Sequence, residues 1–303
     1  MRRLLPLLVL GCVERGSLTV RGEADTVDTI ESADTGPLPG CGNPVVLVEP
    51  QPEQTHAVDA QIRVRLTEAE PDASLRLRTR DRDVPGETRV DGAVLRWEPL
   101  DLVPAGEPVE LRLNWSCGSE SARWTTAAPV FRLSPLVRQE WVDLLPQLDQ
   151  LGDLFVGLQG MSTDAVSWTA VPADGGQPDT CQPTYDLTGT RMPTGAIRAS
   201  GPGAVVWGDA TLSLTSVGVR AVAPPGLADL DDPRLELRIP VQRLTDADAD
   251  GVCGAVGDFG WSCTSCGPDR CVAAVIPAAV APVGTAGLET RTPDDVASDP
   301  ACP

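Results

Sequence analysis

Between residues 45 and 126, hydrophobic residues recur at every second position in several short runs. In Ile62-Arg63-Val64-Arg65-Leu66, Leu75-Arg76-Leu77-Arg78, Ala93-Val94-Leu95-Arg96-Trp97 and Val109-Glu110-Leu111-Arg112-Leu113-Asn114-Trp115, the positions between them are mostly charged. A period of two turns one face of a strand inward and leaves the other in water, as in half-buried antiparallel sheets. The outward arginines also discourage edge-to-edge pairing. Turn residues separate the runs at Pro71-Asp72, Val84-Pro85-Gly86, Asp91-Gly92 and Pro104-Ala105-Gly106. With Val45 to Val48 in front and Ala122 to Thr126 behind, six or seven strands fit into about 85 residues, the size of an immunoglobulin-like sandwich.

Past residue 130 the pattern is mixed. Ser134-Pro135 has the form of an N-cap followed by a first-turn proline, and Leu136, Val137, Glu140, Trp141, Leu144 and Leu145 carry helical spacing up to Pro146. Leu148, Leu151 and Leu154 either extend this helix after a kink or start a strand. Strand-like runs follow at Ala165 to Val171, Ala204 to Trp207, Ala210 to Val222, Arg234 to Val241 and Cys271 to Val283, and the nearly all-apolar Val272 to Val280 should be central. The expected fold is mainly all-β: an Ig-like sandwich over residues 41–129, then a disulfide-stabilised antiparallel β-rich domain over 130–303 with one or two short helices.

The front of the chain reads differently. Met1-Arg2-Arg3 and the apolar Leu4 to Leu10 form a basic and then a hydrophobic region, too short to span a bilayer. The segment ends in Val9-Leu10-Gly11-Cys12, which resembles the bacterial lipoprotein signal. That resemblance implies removal of residues 1–11, diacylation of Cys12 with palmitate-type chains, and stable membrane anchoring. Val13 rather than Asp resembles lipoproteins sent to the outer membrane. Residues 13–40 are acidic and nearly free of hydrophobic periodicity, so they read with Cys12 as a disordered tether, reaching on the order of 30 Å.

Composition narrows the chemistry. The 303 residues carry 43 acids against 24 basic residues, a net charge of −19, and every basic residue is arginine. Lysine chemistry is excluded, histidine chemistry rests on His56 alone, and the acidic balance argues against nucleic acid as a partner. His56, placed in the first inter-strand loop, reads as a solvated imidazole.

Nine cysteines are present. Setting Cys12 aside for lipid leaves Cys41, Cys117, Cys181, Cys253, Cys263, Cys266, Cys271 and Cys302, an even set that reads as disulfides in an oxidising compartment. Two lie in the first half, where Cys41 with Cys117 would close a loop of about 75 residues. The six in the second half leave their pairing open, and Cys253, Cys263, Cys266 and Cys271 also have the spacing of a four-thiolate zinc site.

Asp246-Ala247-Asp248-Ala249-Asp250-Gly251 has the opening spacing of a calcium loop, although the twelfth position is Gly257 rather than Glu. The competing reading caps a short helix at Thr245 or Asp246, running through Val256. Gly201-Pro202-Gly203 reads as a turn. The acid pairs Asp231-Asp232 and Asp294-Asp295 read as exposed turns, and the sequence contains no G-x-S-x-G or H-E-x-x-H motif.

The run Val48-Glu49-Pro50-Gln51-Pro52, the strand Ile62 to Leu66, Gly92 to Pro99, Leu102 to Gly106 and the closing Trp124-Thr125-Thr126-Ala127 together resemble a bacterial Ig-like family of surface-layer and envelope proteins. The chain departs from that pattern with Trp124 for a Phe and with Glu53-Gln54 where a glycine is usual. The resemblance implies a spacer or adhesion module. The second half, with Cys181-x-Pro-Thr and Cys-x2-Cys-x4-Cys, is similar to exported lipoproteins of high-GC bacteria and brings no activity with it. The reading is therefore a non-enzymatic lipoprotein of the envelope, with membrane, envelope protein or glycan as partners and no cofactor beyond calcium. Its alternatives are a lipophilic-ligand carrier built on a C-terminal β-barrel and a carboxylate-dependent glycan hydrolase.

Overall fold

The structure is a computed structural model that describes residues 44–207, 212–241, 246–266 and 269–302. Ten strands build the first part: β1 (Val45–Glu49), β2 (Thr55–His56), β3 (Ile62–Leu66), β4 (Ser74–Thr79), β5 (Asp83–Val84), β6 (Gly86–Asp91), β7 (Val94–Pro99), β8 (Val103–Pro104), β9 (Pro108–Trp115) and β10 (Gly118–Thr126). Nine of them, all but β8, form a four-stranded sheet β1-β3-β7-β6 facing a five-stranded sheet β2-β10-β9-β4-β5. This is the strand order of an immunoglobulin-type sandwich. Alternation decides what is inside: Ile62, Val64 and Leu66 of β3 and Leu75 and Leu77 of β4 are buried, as are Leu111 and Leu113 of β9 and Trp124 of β10.

The second part comprises β11 (Val130–Pro135), β12 (Leu154–Met161), β13 (Ala165–Asp174), β14 (Gln177–Pro178), β15 (Tyr185–Arg191), β16 (Ala196–Trp207), β17 (Leu212–Val222), β18 (Asp231–Pro240), β19 (Ser262–Cys266) and β20 (Asp269–Gly284). Eight of these pair antiparallel in the circuit β11-β12-β13-β15-β16-β17-β18-β20, and β20 returns to β11, so the sheet closes into a barrel. A ring of eight strands is just wide enough for side chains to fill. Phe131, Leu133, Val156, Trp168, Leu187, Leu237 and Ile276 fill it, with the Phe131 and Trp168 rings 6.1 Å apart. Gly189 stands where β15 approaches β16 so closely that a Cβ would lie 1.9 Å from the Arg198 carbonyl oxygen.

Helix α1 (Gln139–Leu144) and a 3-10 turn (Pro146–Gln150) connect β11 to β12, and their Trp141, Leu145 and Leu148 join the core. Trp141 packs 5.0 Å from Trp261, whose indole N–H donates to the Val275 carbonyl. Helix α2 (Asp246–Ala255) lies between β18 and β19. After β20 the chain returns along the outside: Leu288 covers Val130, Phe155 and Val171, and α3 (Pro293–Ser298) starts with a capping box between Thr292 and Asp295. One hydrophobic core runs from the sandwich into the barrel. The short β8 of the sandwich segment pairs with the end of β12.

Several sequence expectations change here. Ser134 and Pro135 belong to strand β11, opposite Ala279 and Ala278 of β20, and the helix begins at Gln139. Pairing to a central strand outweighs a local capping signal, and proline at a strand end removes no needed donor. Gly201-Pro202-Gly203 runs inside β16 at an irregularity in its pairing with β17, not in a turn. His56 lies in strand β2 beside Thr126 of β10, not in a loop, and its Nε2 sits 2.8 Å from the Gln51 carbonyl. Three short helices are present among the described residues, rather than one or two.

Candidate ligand-binding cleft

The segment between β2 and β3, residues 57–61, crosses from the sandwich to the mouth of the barrel. Val58 is buried there. The next residue, Asp59, has a side chain only 5% exposed, 3.0 Å from the guanidinium of Arg191 at the end of β15. Its oxygens also accept from the Gly226 N–H, at 3.2 and 3.4 Å. One carboxylate from the sandwich thus ties together two barrel loops. A charge this deeply placed is tolerated because it is paired and hydrogen-bonded.

Cavities flank this segment on either side. On one side, about 370 Å³ is walled by Ile62, Trp97 and Val103 of the sandwich and by Met161, Ser162 and Met192 of the barrel. On the other, about 470 Å³ is more apolar, walled by Val58, Pro129, Phe131, Leu227 and Pro282 among others. Hydroxyls at the first cleft are committed to structure: Thr163 donates to the Pro99 carbonyl at 3.1 Å, and Ser162 accepts from the Ala165 N–H and donates to Asp164. Arg191 Nη2 is bound to Asp59. The cleft can therefore hold a small molecule against an apolar wall with a polar rim. The carrier reading placed its cavity inside the barrel. The barrel is present, but side chains pack its interior, and these cavities lie at its mouth instead.

The predicted site residues fall in different places. Cys12 and Cys41 lie outside the described residues. Cys117 is disulfide-bonded, with its partner outside them. Cys181 pairs with Cys302, Cys253 with Cys263, and Cys266 with Cys271. The four cysteines drawn as a zinc site are thereby consumed in two bridges. Asp246, Asp248 and Asp250 run along helix α2 rather than a calcium-loop backbone, and Asp250 pairs with Arg270. The side chains of Asp246 and Asp248 are outside the described residues. Among the described residues, no three His, Cys, Asp or Glu side chains are grouped to hold a metal. Asp232 pairs with Arg234, and Asp295 caps α3.

Sequence reasoning missed Asp59 and Arg191. They are 132 residues apart, and each resembles an ordinary charge in a loop or at a strand end. Only the docking of sandwich on barrel brings them together, although an acid set among Ala57, Val58 and Ala60 is a faint signal.

No family model matches the sequence, and comparison with curated proteins gives no match. Among solved structures, the chain is similar to L,D-transpeptidase 3 from Mycobacterium tuberculosis in complex with a faropenem-derived adduct. There the identity is 23% and the TM-score 0.23, over 28% of this chain and only 38% of that one. The L,D-transpeptidase from Mycobacterium smegmatis gives 19% identity and a TM-score of 0.24, over 52% of this chain and 76% of its own. Another structure of the M. tuberculosis enzyme gives 16% and 0.25, over 61% and 84%. The expectation of a non-enzymatic chain is corrected on this finding, because the solved structures that it matches are those of enzymes. That expectation rested on the Ig-like resemblance and on the absence of G-x-S-x-G and H-E-x-x-H motifs. Likeness at these TM-scores carries no argument about what this chain would catalyse.

Proposed function

We propose that this chain is an exported, lipid-anchored protein of the bacterial envelope that binds a small ligand. Acylated Cys12 fastens it to the membrane, residues 13–40 act as the tether, and the sandwich and barrel together bind a small amphipathic molecule in the cleft beside Asp59. The observation that carries the binding reading is the 370 Å³ cleft walled by both parts of the fold, with the Asp59–Arg191 ion pair in its lining. The bridges Cys181–Cys302, Cys253–Cys263 and Cys266–Cys271 support export, since such cross-links persist in oxidising compartments.

Two measurements test the reading separately. For anchorage, Cys12→Ala should abolish palmitate labelling and release the protein from the membrane fraction; unchanged retention overturns it. For the cleft, the mature chain should bind anilinonaphthalene sulfonate at one saturable site. Met192, 56% exposed at the rim, can be changed to Asp with little effect on folding. That variant should lose the signal while its unfolding midpoint stays put; saturable binding indifferent to it, or no saturable binding, removes the cleft from consideration.

A further inference from the structure

The outer face of the β10-β9-β4 sheet carries Arg76 and Arg78 of β4, Arg112 of β9 and Arg123 of β10, against the single carboxylate Glu110. The turn after β4 adds Arg80 and Arg82, interleaved with Asp81 and Asp83. All six arginine side chains are exposed, in a chain whose net charge is −19. A hollow of about 450 Å³ on this face is lined by Arg76, Arg78, Arg82, Arg112 and Asn114, with Asp81 and Asp83 at its turn side, four guanidiniums against two carboxylates.

Arg112 stands directly opposite Arg76 in the strand register. Like charges so placed repel and destabilise the pair. Protection of a sheet edge does not account for Arg112, since β9 is an inner strand, whereas β4 is covered by β5 only at Leu77 and Arg78. Internal neutralisation is partial. Glu110 bridges Arg112 and Arg123 at 3.0 Å each, Arg78 reaches Asp83 only at 3.9 Å, and Arg82 is held by Asp101. Burial favours the protonated form of Glu110, but hydrogen bonds from Arg112 and Arg123 outweigh it and hold the carboxyl below its usual range. Arg76 has no ion pair or side-chain hydrogen bond among the described residues.

We infer that this face is a binding surface for an acidic polysaccharide, whose carboxylates lie between Arg76 and Arg112 and along β4. Alternate residues of a strand are about 6.8 Å apart. Arg76, Arg78 and Arg80 therefore offer forked donors at regular intervals to an extended chain, and a guanidinium takes a carboxylate through two parallel hydrogen bonds. The charge complementarity is local, because the remainder of the chain is acidic. That setting disfavours the dense charge of a nucleic acid, and the lining of the hollow contains no aromatic side chain on which a base could stack. The surface is separate from the junction cleft and does not depend on it.

The test is calorimetric titration of the mature chain with oligogalacturonate at low salt, with neutral dextran and duplex DNA as parallel probes. Oligogalacturonate should bind with an affinity that falls as salt rises, and Arg76→Gln with Arg112→Gln should weaken it by about tenfold or more. Arg89→Gln, on the opposite sheet and paired with Glu98, should leave it unchanged. No binding, equal binding by the double variant, or DNA bound as tightly as the glycan would each overturn the assignment.

Discussion

The sandwich and the barrel share one core, yet the sandwich keeps open sheet edges and several cleanly alternating strands, whereas the barrel closes on itself and holds three disulfides at the end away from the sandwich. The difference concerns sequence distance. In the sandwich only β4–β5, β6–β7 and β9–β10 join consecutive strands, whereas the barrel pairs consecutive or nearly consecutive strands all the way round except at its seam. The barrel must bring Val130–Pro135 against Ala278–Gly284 before it is complete, and closing so long a loop costs chain entropy that a cross-link reduces.

The largest test of this contrast removes the Cys181–Cys302 bridge, which spans 121 residues. Replacing both cysteines by serine should lower stability by about 4 to 5 kcal/mol on the chain-entropy argument. Denaturant unfolding should then show the barrel melting before the sandwich. An unchanged midpoint would show that strand pairing alone holds the ring.

A second change acts where the two parts meet. Asp59→Ala leaves the Arg191 guanidinium, 20% exposed, without its carboxylate. The cost should be about 2 to 3 kcal/mol, discounted for that partial exposure. In a double-mutant cycle with Arg191→Ala the two losses should fall short of additive by at least about 0.5 kcal/mol; strict additivity would mean that the pair does not couple sandwich to barrel.

The smallest test lies within the sandwich. Glu53 has φ +61°, a left-handed conformation, at the opening turn where the Ig-like pattern calls for glycine. Glu53→Gly should raise stability by up to about 1 kcal/mol through relief of that strain, less the added freedom of the unfolded chain. A fall in the melting temperature would mean that the side chain is doing more than enduring its backbone.

The same contrast explains what could be read from the sequence. The run Ile62 to Leu66 is strand β3 to the residue, and Val109 to Trp115 falls within β9, because one side of each strand meets water. In β12 seven of eight residues are buried, and its pairing with β13 slips between Leu158 and Gly160, so Leu154–Met161 shows no clean period. Strand β15, with Asp186, Thr188 and Gly189, contains few strand-forming apolar residues. That Cys181, Cys253, Cys263, Cys266, Cys271 and Cys302 form bridges followed from parity and compartment, whereas their connectivity required the fold. The junction site was invisible because both partners of its ion pair come from segments with no local distinction.

The ring has a consequence for the order in which the chain can become itself. Its seam joins β11, the first of its strands, to β20, the last. A polypeptide threaded amino-end first through a translocation pore can complete its sandwich strands early, but the barrel stays an unsealed curl until β20 has emerged. Cys181 must wait longer, for Cys302. During that time, the nascent chain most needs a guardian against mispaired thiols and wandering strand edges.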